Sequence, residues 1–328
     1  MSPQSPDQLP NYPITRLPNS CAPDSRAASA VGRAARLELV FERRGARTVV
    51  AHAYAEPPFR IGRTFDLGRA AYVIIVCSGP GMFAGDTLRQ SIHVGRGARV
   101  FLTSQAALQI HPAILPSCHP AVLAPCPPAI LPSCRPALLR QEYTVEDEGE
   151  LHCQWDPVIP FAASRLDQRF DLRIAESSRL YWGDALMAGR VSRGEAWQFQ
   201  SLAHELRLRI GPALAYLERY TLAPGPPSPK LRRASDRAIE RPWMCGGAPY
   251  LATALVHHAS ATAETAGALH REVAAIDGVR AGVDLIAPRL VLARFLAAHG
   301  APFARARASY RTLALESIFG GPELAPRK

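Results

Sequence analysis

The sequence predicts a mainly β protein with a few helices in its C-terminal third. Three observations carry this. Apolar and polar residues alternate along many short stretches, glycine and proline break those stretches, and helical spacing is confined to the last third. Strands do not alternate with helices, which argues against a doubly wound nucleotide-binding sheet.

Residues 1–34 are rich in Pro, Ser, Asn and Asp and are expected to form a disordered tail. A single domain is expected over 35–328. In "ARLELVFERRGARTVV", Leu37, Leu39 and Phe41 alternate with polar neighbours, and the pattern resumes at Thr48 after a turn at Gly45, the mark of a hairpin. "AAYVIIVC" reads as a strand buried on both faces, and "TLRQSIHVGRGARVFLTS" as two strands around the glycines at 95 and 97. From His111 an eight-residue unit repeats, "HPAILPSC HPAVLAPC PPAILPSC RPALLRQE", and is taken as a Pro/Cys-rich insert over 111–139. Two readings of it stand: a soft-metal segment built on Cys118, Cys126, Cys134, His111 and His119, or a loop lengthened by slippage in the gene. Its prolines forbid helix and central strand. Strands resume at "EYTVEDEGELHCQW", "SRLDQRFDLRIAESSRLYWGDAL" alternates again, and the strand pattern continues to about residue 222. A Pro-rich loop at about 223–242 leads to a helix with Leu269, Val273 and Ile276 on one stripe. "RLVLARFLAA" is ambiguous, and a final helix carries Pro302 in its first turn.

Lys+Arg number 38 against 28 Asp+Glu, a formal charge of +10, nearly all of it arginine, since Lys230 and Lys328 are the only lysines. The arginines are dispersed, with no dense basic block, so no nucleic-acid partner is expected, although a basic face for an acidic protein partner fits the charge. The N-terminus has no apolar core of a secretory signal, and no apolar run approaches the ~20 residues of a membrane helix, so no membrane partner is expected. Seven cysteines, an odd number without a CxxC pair, fit a reducing, cytoplasmic setting better than a disulfide framework.

"SGPGMFAGD" follows the strand at 70–77 and invites a phosphate-loop reading. It lacks the lysine and hydroxyl of a P-loop, Asp86 would repel phosphate, and the following "TLRQSIHV" is strand-like, so no helix N-terminus faces the loop. Gly79, Gly81 and Gly85 therefore read as turn residues needing positive φ or close packing. His93 and His152 read as core-edge histidines. His257 and His258, adjacent on a strand, point to opposite faces, which disfavours joint ligation of one ion. No Ser-His-Asp signature is present.

Five stretches in order carry a resemblance. They are the strand pair from Arg36, the loop with Gly79, Gly81, Gly85 and Asp86, the segment Thr103, Ser104, Gln105 and Ala107, the element Pro157, Ile159, Pro160, Phe161, Ser164, Arg165 and Gln168, and the element Gly189, Arg190, Gly194, Glu195 and Phe199. Together they resemble the UreD (UreH) family, accessory proteins of nickel urease maturation. The chain departs from that pattern with Pro80 and Met82-Phe83 in the loop, and with Leu108, Gln109, Ile110 and the octads where the family has a short turn.

The resemblance implies a stacked, β-helix-like two-layer sheet body, acting as a non-catalytic scaffold that binds apo-urease subunits and a UreF-like helical protein, and through it a UreG-like GTPase. No tightly bound cofactor is expected; Ni²⁺ would be cargo, passing through a polar interior that binds it weakly. Asp86, Gln105, Arg190 and Glu195 are the candidates for partner contact or nickel passage, with Asp86 and Glu195 as transient oxygen ligands. Each also has a structural reading: Asp86 caps its turn, Glu195 pairs with Arg190 or Arg165, and the Gln105 amide is a buried hydrogen-bond partner. The alternatives are a β-rich carbohydrate-active enzyme and an unrelated β-rich interaction module.

Overall fold

The computed structural model describes residues 33–112, 135–224 and 245–321. Residues 1–32 of the expected tail, the repeat cysteines with His119, and most of the expected 223–242 loop lie outside that range. In chain order the strands are β1 (Ala34–Arg44), β2 (Arg47–Ala55), β3 (Phe59–Ile61), β4 (Phe65–Leu67), β5 (Ala70–Cys77), β6 (Thr87–Val94), β7 (Arg99–Ser104), β8 (Leu108–Ile110) and β9 (Ala137–Val145). They continue with β10 (Glu150–Gln154), β11 (Val158–Pro160), β12 (Arg165–Ile174), β13 (Arg179–Met187), β14 (Ser201–Ile210), β15 (Ala213–Leu222), β16 (Tyr250–His257), β17 (Val279–Ala287) and β18 (Leu290–Ala297). Helix α1 spans Ala263–Ala274 and α2 spans Gly300–Ser317.

The first sheet runs β15-β14-β12-β9-β6-β1-β2 and the second β17-β18-β16-β13-β10-β7-β5-β3. Between β5 and β14 the chain crosses from one sheet to the other after every long strand, so β1, β6, β9, β12 and β14 lie parallel in one sheet and β5, β7, β10 and β13 parallel in the other. The result is a β-helix of two broad faces, capped by antiparallel hairpins β1-β2 and β14-β15. The stacked two-layer, mainly β body expected from the sequence is the one observed. Gly45, with φ 61°, makes the first hairpin turn where the sequence places it.

Coil after coil returns in register, so inward residues stack in rows. Leu39, Ile92, Tyr143, Leu172 and Leu208 lie side by side in the first sheet, all buried. Facing them, Val73, Leu102, Cys153 and Trp182 form a buried row in the second. Trp182 is the hub, with ring centroids 4.8 Å from Tyr143 and 5.4 Å from Phe170. Helices α1 and α2 pack on the outer face of the second sheet through Leu269, Val273, Phe303 and Tyr310. That cover explains "RLVLARFLAA": β18 is buried on both sides, so its period-two signal is lost. No described helix is long and apolar enough to cross a membrane.

One boundary needs correcting. The insert expected over 111–139 ends earlier, because Ala137, Leu138 and Leu139 already belong to β9. Pro136-Ala137-Leu138-Leu139 imitates another octad, and its strand alternation shows only when read together with "RQEYTV". Both ends of the segment are tied to one loop: the His111 amide donates to the Met82 carbonyl at 2.7 Å, and the Gly85 amide to the Pro136 carbonyl at 3.3 Å.

Replacing Trp182 by Ala is expected to lower unfolding stability by about 3–5 kcal/mol. Trp182→Phe should cost clearly less, since the buried indole Nε1 has no hydrogen-bond partner to lose. Denaturant unfolding of the two variants checks both.

Candidate functional site

The motifs that stand apart in sequence are neighbours in space. The loop 78–86, the segment 105–112, the turn 161–164 and the stretch 188–200 are four successive crossings from the second sheet to the first, stacked along one edge. The opposite crossings are tight turns at Gly95–Gly97, Asp147–Gly149 and Ser177–Ser178.

A ladder of side chains climbs the stacked edge. Phe83 stacks on His111 with centroids 4.7 Å apart, His111 meets the edge of Phe161 at 4.7 Å, and the Arg190 guanidinium lies 4.3 Å over Phe161. Arg190 Nε donates to Glu195 Oε2 at 2.7 Å, and its terminal nitrogen reaches the second carboxylate oxygen. That pairing holds the Glu195 carboxyl below the usual range. Arg165 instead donates to Gln200 Oε1 at 2.7 Å. His111 Nε2 sits 2.6 Å from the Pro80 carbonyl, tying this imidazole to the glycine loop.

Two glycines permit the close stacking. At Gly81 (φ 119°) a Cβ would lie 2.1 Å from the Gln109 carbonyl oxygen, and at Gly189 (φ 116°) 2.3 Å from that of Glu195. A side chain at Gly81 would push two successive crossings apart, and one at Gly189 would open the fold of the 188–200 crossing on itself. Gly79 and Gly85 also have positive φ, at 106° and 85°. Asp86 is buried, its Oδ1 accepting from the Arg33 amide at 2.7 Å and its Oδ2 from the Phe83 amide at 2.9 Å. One carboxylate oxygen thus closes the turn and the other ties it to the chain entering β1. Gln105 departs from expectation: it is exposed, not buried. It follows the last residue of β7, where the chain leaves the sheet, and only its amide is engaged, with the Ile75 carbonyl at 3.0 Å.

Beside this edge a cavity of about 190 Å³ enters the space between the sheets, with Gly81 and Gln105 near its mouth and Gln90, Gln141 and Phe170 within. A second cavity of about 300 Å³, lined by Gln168, Asp184, Glu218, Tyr220, Cys245 and Arg294, lies further along. Phe170 lines one and Gln168 the other, two residues apart on β12. The polar linings follow the coil register: Gln90 stands beside Gln141, and Gln168, His204 and Tyr220 form a row. Gln168 Nε2 and His204 Nδ1 are 2.7 Å apart, while Gln168 Oε1 is buried without a partner. Burial, then the nearby Glu218, pushes the Asp184 carboxyl up to about 7. Burial, then Arg294, brings His204 down to about 4. Sequence reasoning missed Asp184, Gln168 as a cavity residue, and His204, because a polar residue on a strand reads as solvent-facing unless the facing sheet is known.

The four other histidines singled out in the sequence are individually engaged. His152 is fully buried rather than at the core edge, 3.0 Å from Glu150 Oε1. His93 Nε2 meets Glu146 Oε1 at 3.1 Å on the surface. His257 Nδ1 is 3.1 Å from the Ser178 carbonyl, whereas His258 Nδ1 accepts from the Ser260 amide at 3.0 Å. Among the described residues no three His, Cys, Asp or Glu side chains converge as a ready metal-ligand set.

Comparison with known proteins gives a consistent result. The family model described as UreD urease accessory protein matches residues 33–328. A urease accessory protein UreD of Sorangium cellulosum is 33% identical over 197 residues, 60% of this chain and 57% of that protein. Namesakes from Trichodesmium erythraeum and Lysinibacillus sphaericus are 28% and 29% identical, over 49% and 53% of this chain and 53% and 59% of their own. The chain thus spans a little over half the length of the curated relatives it matches.

The cavity carboxyl should leave a pH signature. A folded-state value of about 7 for Asp184 lies above the unfolded value of about 3.9. The folded state therefore holds the extra proton between these limits, and this group's contribution to stability falls as pH rises from about 4 to about 7. His204 acts oppositely over an overlapping window, since its depressed value makes stability fall as pH drops from about 6.5 toward 4. The difference between the parent and Asp184→Asn isolates the first effect: the variant should gain relative stability as pH rises to 7. Thermal melts across pH 4–8 test this, and a constant difference would refute it.

Proposed function

The chain belongs to the UreD family of urease accessory proteins, and on that premise we propose that it is a urease maturation factor, a non-catalytic scaffold that assists nickel insertion. Its partners in this reading are apo-urease subunits, a UreF-like helical accessory protein and, through it, a UreG-like GTPase, in the cytoplasm. Nickel is cargo here, not a resident cofactor.

One observation supports the reading most: the motif-bearing crossings share one edge, and that edge adjoins the mouth of an interior cavity. Rigid stacked turns suit docking, because the ladder from Phe83 to Glu195 fixes their relative positions and little conformational entropy is lost on binding. Gln105 and the Arg190–Glu195 pair are the polar contacts offered there. Asp86 acts beneath them, holding the loop through two backbone amides.

The interior suits transient passage of a borderline cation. Amide oxygens and the carboxylates of Asp184 and Glu218 line it without forming a closed ligand set among the described residues, so an ion is held weakly and released onward. Asp184, with its proton affinity raised to about 7, exchanges a proton for a metal at little net charge cost. Gln168 Oε1, buried and unpartnered, is a second oxygen donor facing the same cavity.

The test is co-expression with urease subunits and the two companion proteins, followed by affinity capture of this chain and assay of urease activity and nickel content. Co-recovery and activity dependent on this chain are expected. Arg190→Glu should reduce co-recovery by about tenfold or more, the scale of a lost anchor. Asp184→Ala should leave co-recovery intact and lower nickel content. Unchanged urease activation without this chain would overturn the role.

A further inference from the structure

Among the described residues no helix covers the outer face of the first sheet, and the coil register orders its charges. Reading across the strands, Arg36 pairs with Arg89, Arg89 with Arg140, and Arg140 with Arg169. Four arginines from β1, β6, β9 and β12 thus stand in one line at the inter-strand spacing of about 4.8 Å. Two residues further along the same strands runs a second line, Glu38, Ser91, Glu142 and Asp171. A shallow trough of about 280 Å³ lies between the lines around Arg36, Arg89 and Arg140.

The arginine line is not neutralised evenly. Arg36 reaches Glu38 at 3.5 Å and Glu56 at 3.4 Å; Arg140 and Arg169 share Asp167 at 2.9 and 3.4 Å. Arg89, in the middle, is exposed, and its side chain makes no hydrogen bond or ion pair among the described residues. It is flanked on both sides by guanidinium groups. Like charges directly opposite on adjacent strands destabilise a sheet, so the free protein holds a local repulsion that an external anion relieves.

We propose that this face docks an acidic α-helix of a protein partner, laid across the strands with its carboxylates over Arg36, Arg89, Arg140 and Arg169. Charge and spacing both select that occupant. Helix positions i, i+4, i+7 and i+11 advance about 16 Å at 1.5 Å per residue, against about 14 Å for three strand spacings. Arginine side chains absorb a difference of this size. The neighbouring acidic line excludes a broad polyanion: nucleic-acid phosphates spread over both lines would meet Glu38, Glu142 and Asp171. At one end of the arginine line, Tyr54 sits 4.8 Å from the Arg36 guanidinium and is itself exposed, giving the helix an aromatic contact.

This inference adds a docking face to the maturation reading and is tested without it, on the isolated full chain. The probes are a labelled alanine-based helical peptide with glutamates at i, i+4, i+7 and i+11, its glutamine counterpart, and duplex DNA, followed by fluorescence anisotropy at low and high salt. The glutamate peptide should bind, weaken with salt, and outcompete the glutamine peptide and the DNA. Arg89→Glu should weaken that binding by about tenfold or more and at the same time raise the melting temperature, because the new carboxylate sits between two guanidinium groups. Equal binding of the two peptides, DNA binding as tight as the peptide, or an Arg89→Glu variant that binds normally would each overturn the proposal.

Discussion

The structure depends on one constraint: each coil must return in register with the last. Parallel pairing without slippage places residue beside residue from β1 through β14, and a one-residue slip would turn an apolar row outward. Once the register is set, like stacks on like. Leu39, Ile92, Tyr143, Leu172 and Leu208 form the dry centre. Gln90 with Gln141, and Gln168 with His204 and Tyr220, collect the inward polar groups beside two cavities. The interior is thus apolar in one layer and polar in the next, and Met82, Trp197 and Phe199 of the crossings close its edge.

The same constraint dictates the crossings. Coils can only stack if their turns stack, and at Gly81 the backbone of one crossing lies against the Gln109 carbonyl of the next closer than any Cβ allows, while Gly189 lets the last crossing fold tightly against its own Glu195 carbonyl. The motif residues divide accordingly. Gly81, Gly189 and Asp86 build the edge, while Gln105 and the Arg190–Glu195 pair are presented on it. Phe83, His111 and Phe161 bind successive turns to one another, so the edge behaves as one surface.

Much of this was legible in the sequence. Period-two alternation gave β1 with its hairpin, β6 and β12, and the glycines gave the turns. Other features lay beyond it for physical reasons. A parallel crossing and a hairpin have the same local pattern, so "VGRGARVFL" shows two strands but not that they belong to different sheets. Asp184 and His204 look like solvent-facing polar residues, because inward and outward are assigned only by the opposing sheet. Conversely, Asp86 looks like a ligand in sequence, and only the amides of Arg33 and Phe83 show where its oxygens point. Ala137–Leu139 was hidden by its likeness to the repeat that precedes it.

The anchoring of His111 and Pro136 to the same loop has a consequence for how this chain can change over generations. Because both ends are fastened to adjacent backbone groups at 82 and 85, the coil closes whatever length of chain is strung between them. Lengthening such a span is inexpensive in closure entropy, each doubling costing only about 0.6 kcal/mol. Duplications at this point are therefore weakly opposed by selection for stability, and the β9 strand that follows is not thrown out of phase by them. Between two such anchors a change in the length of the intervening chain leaves the pairing of every later strand as it was.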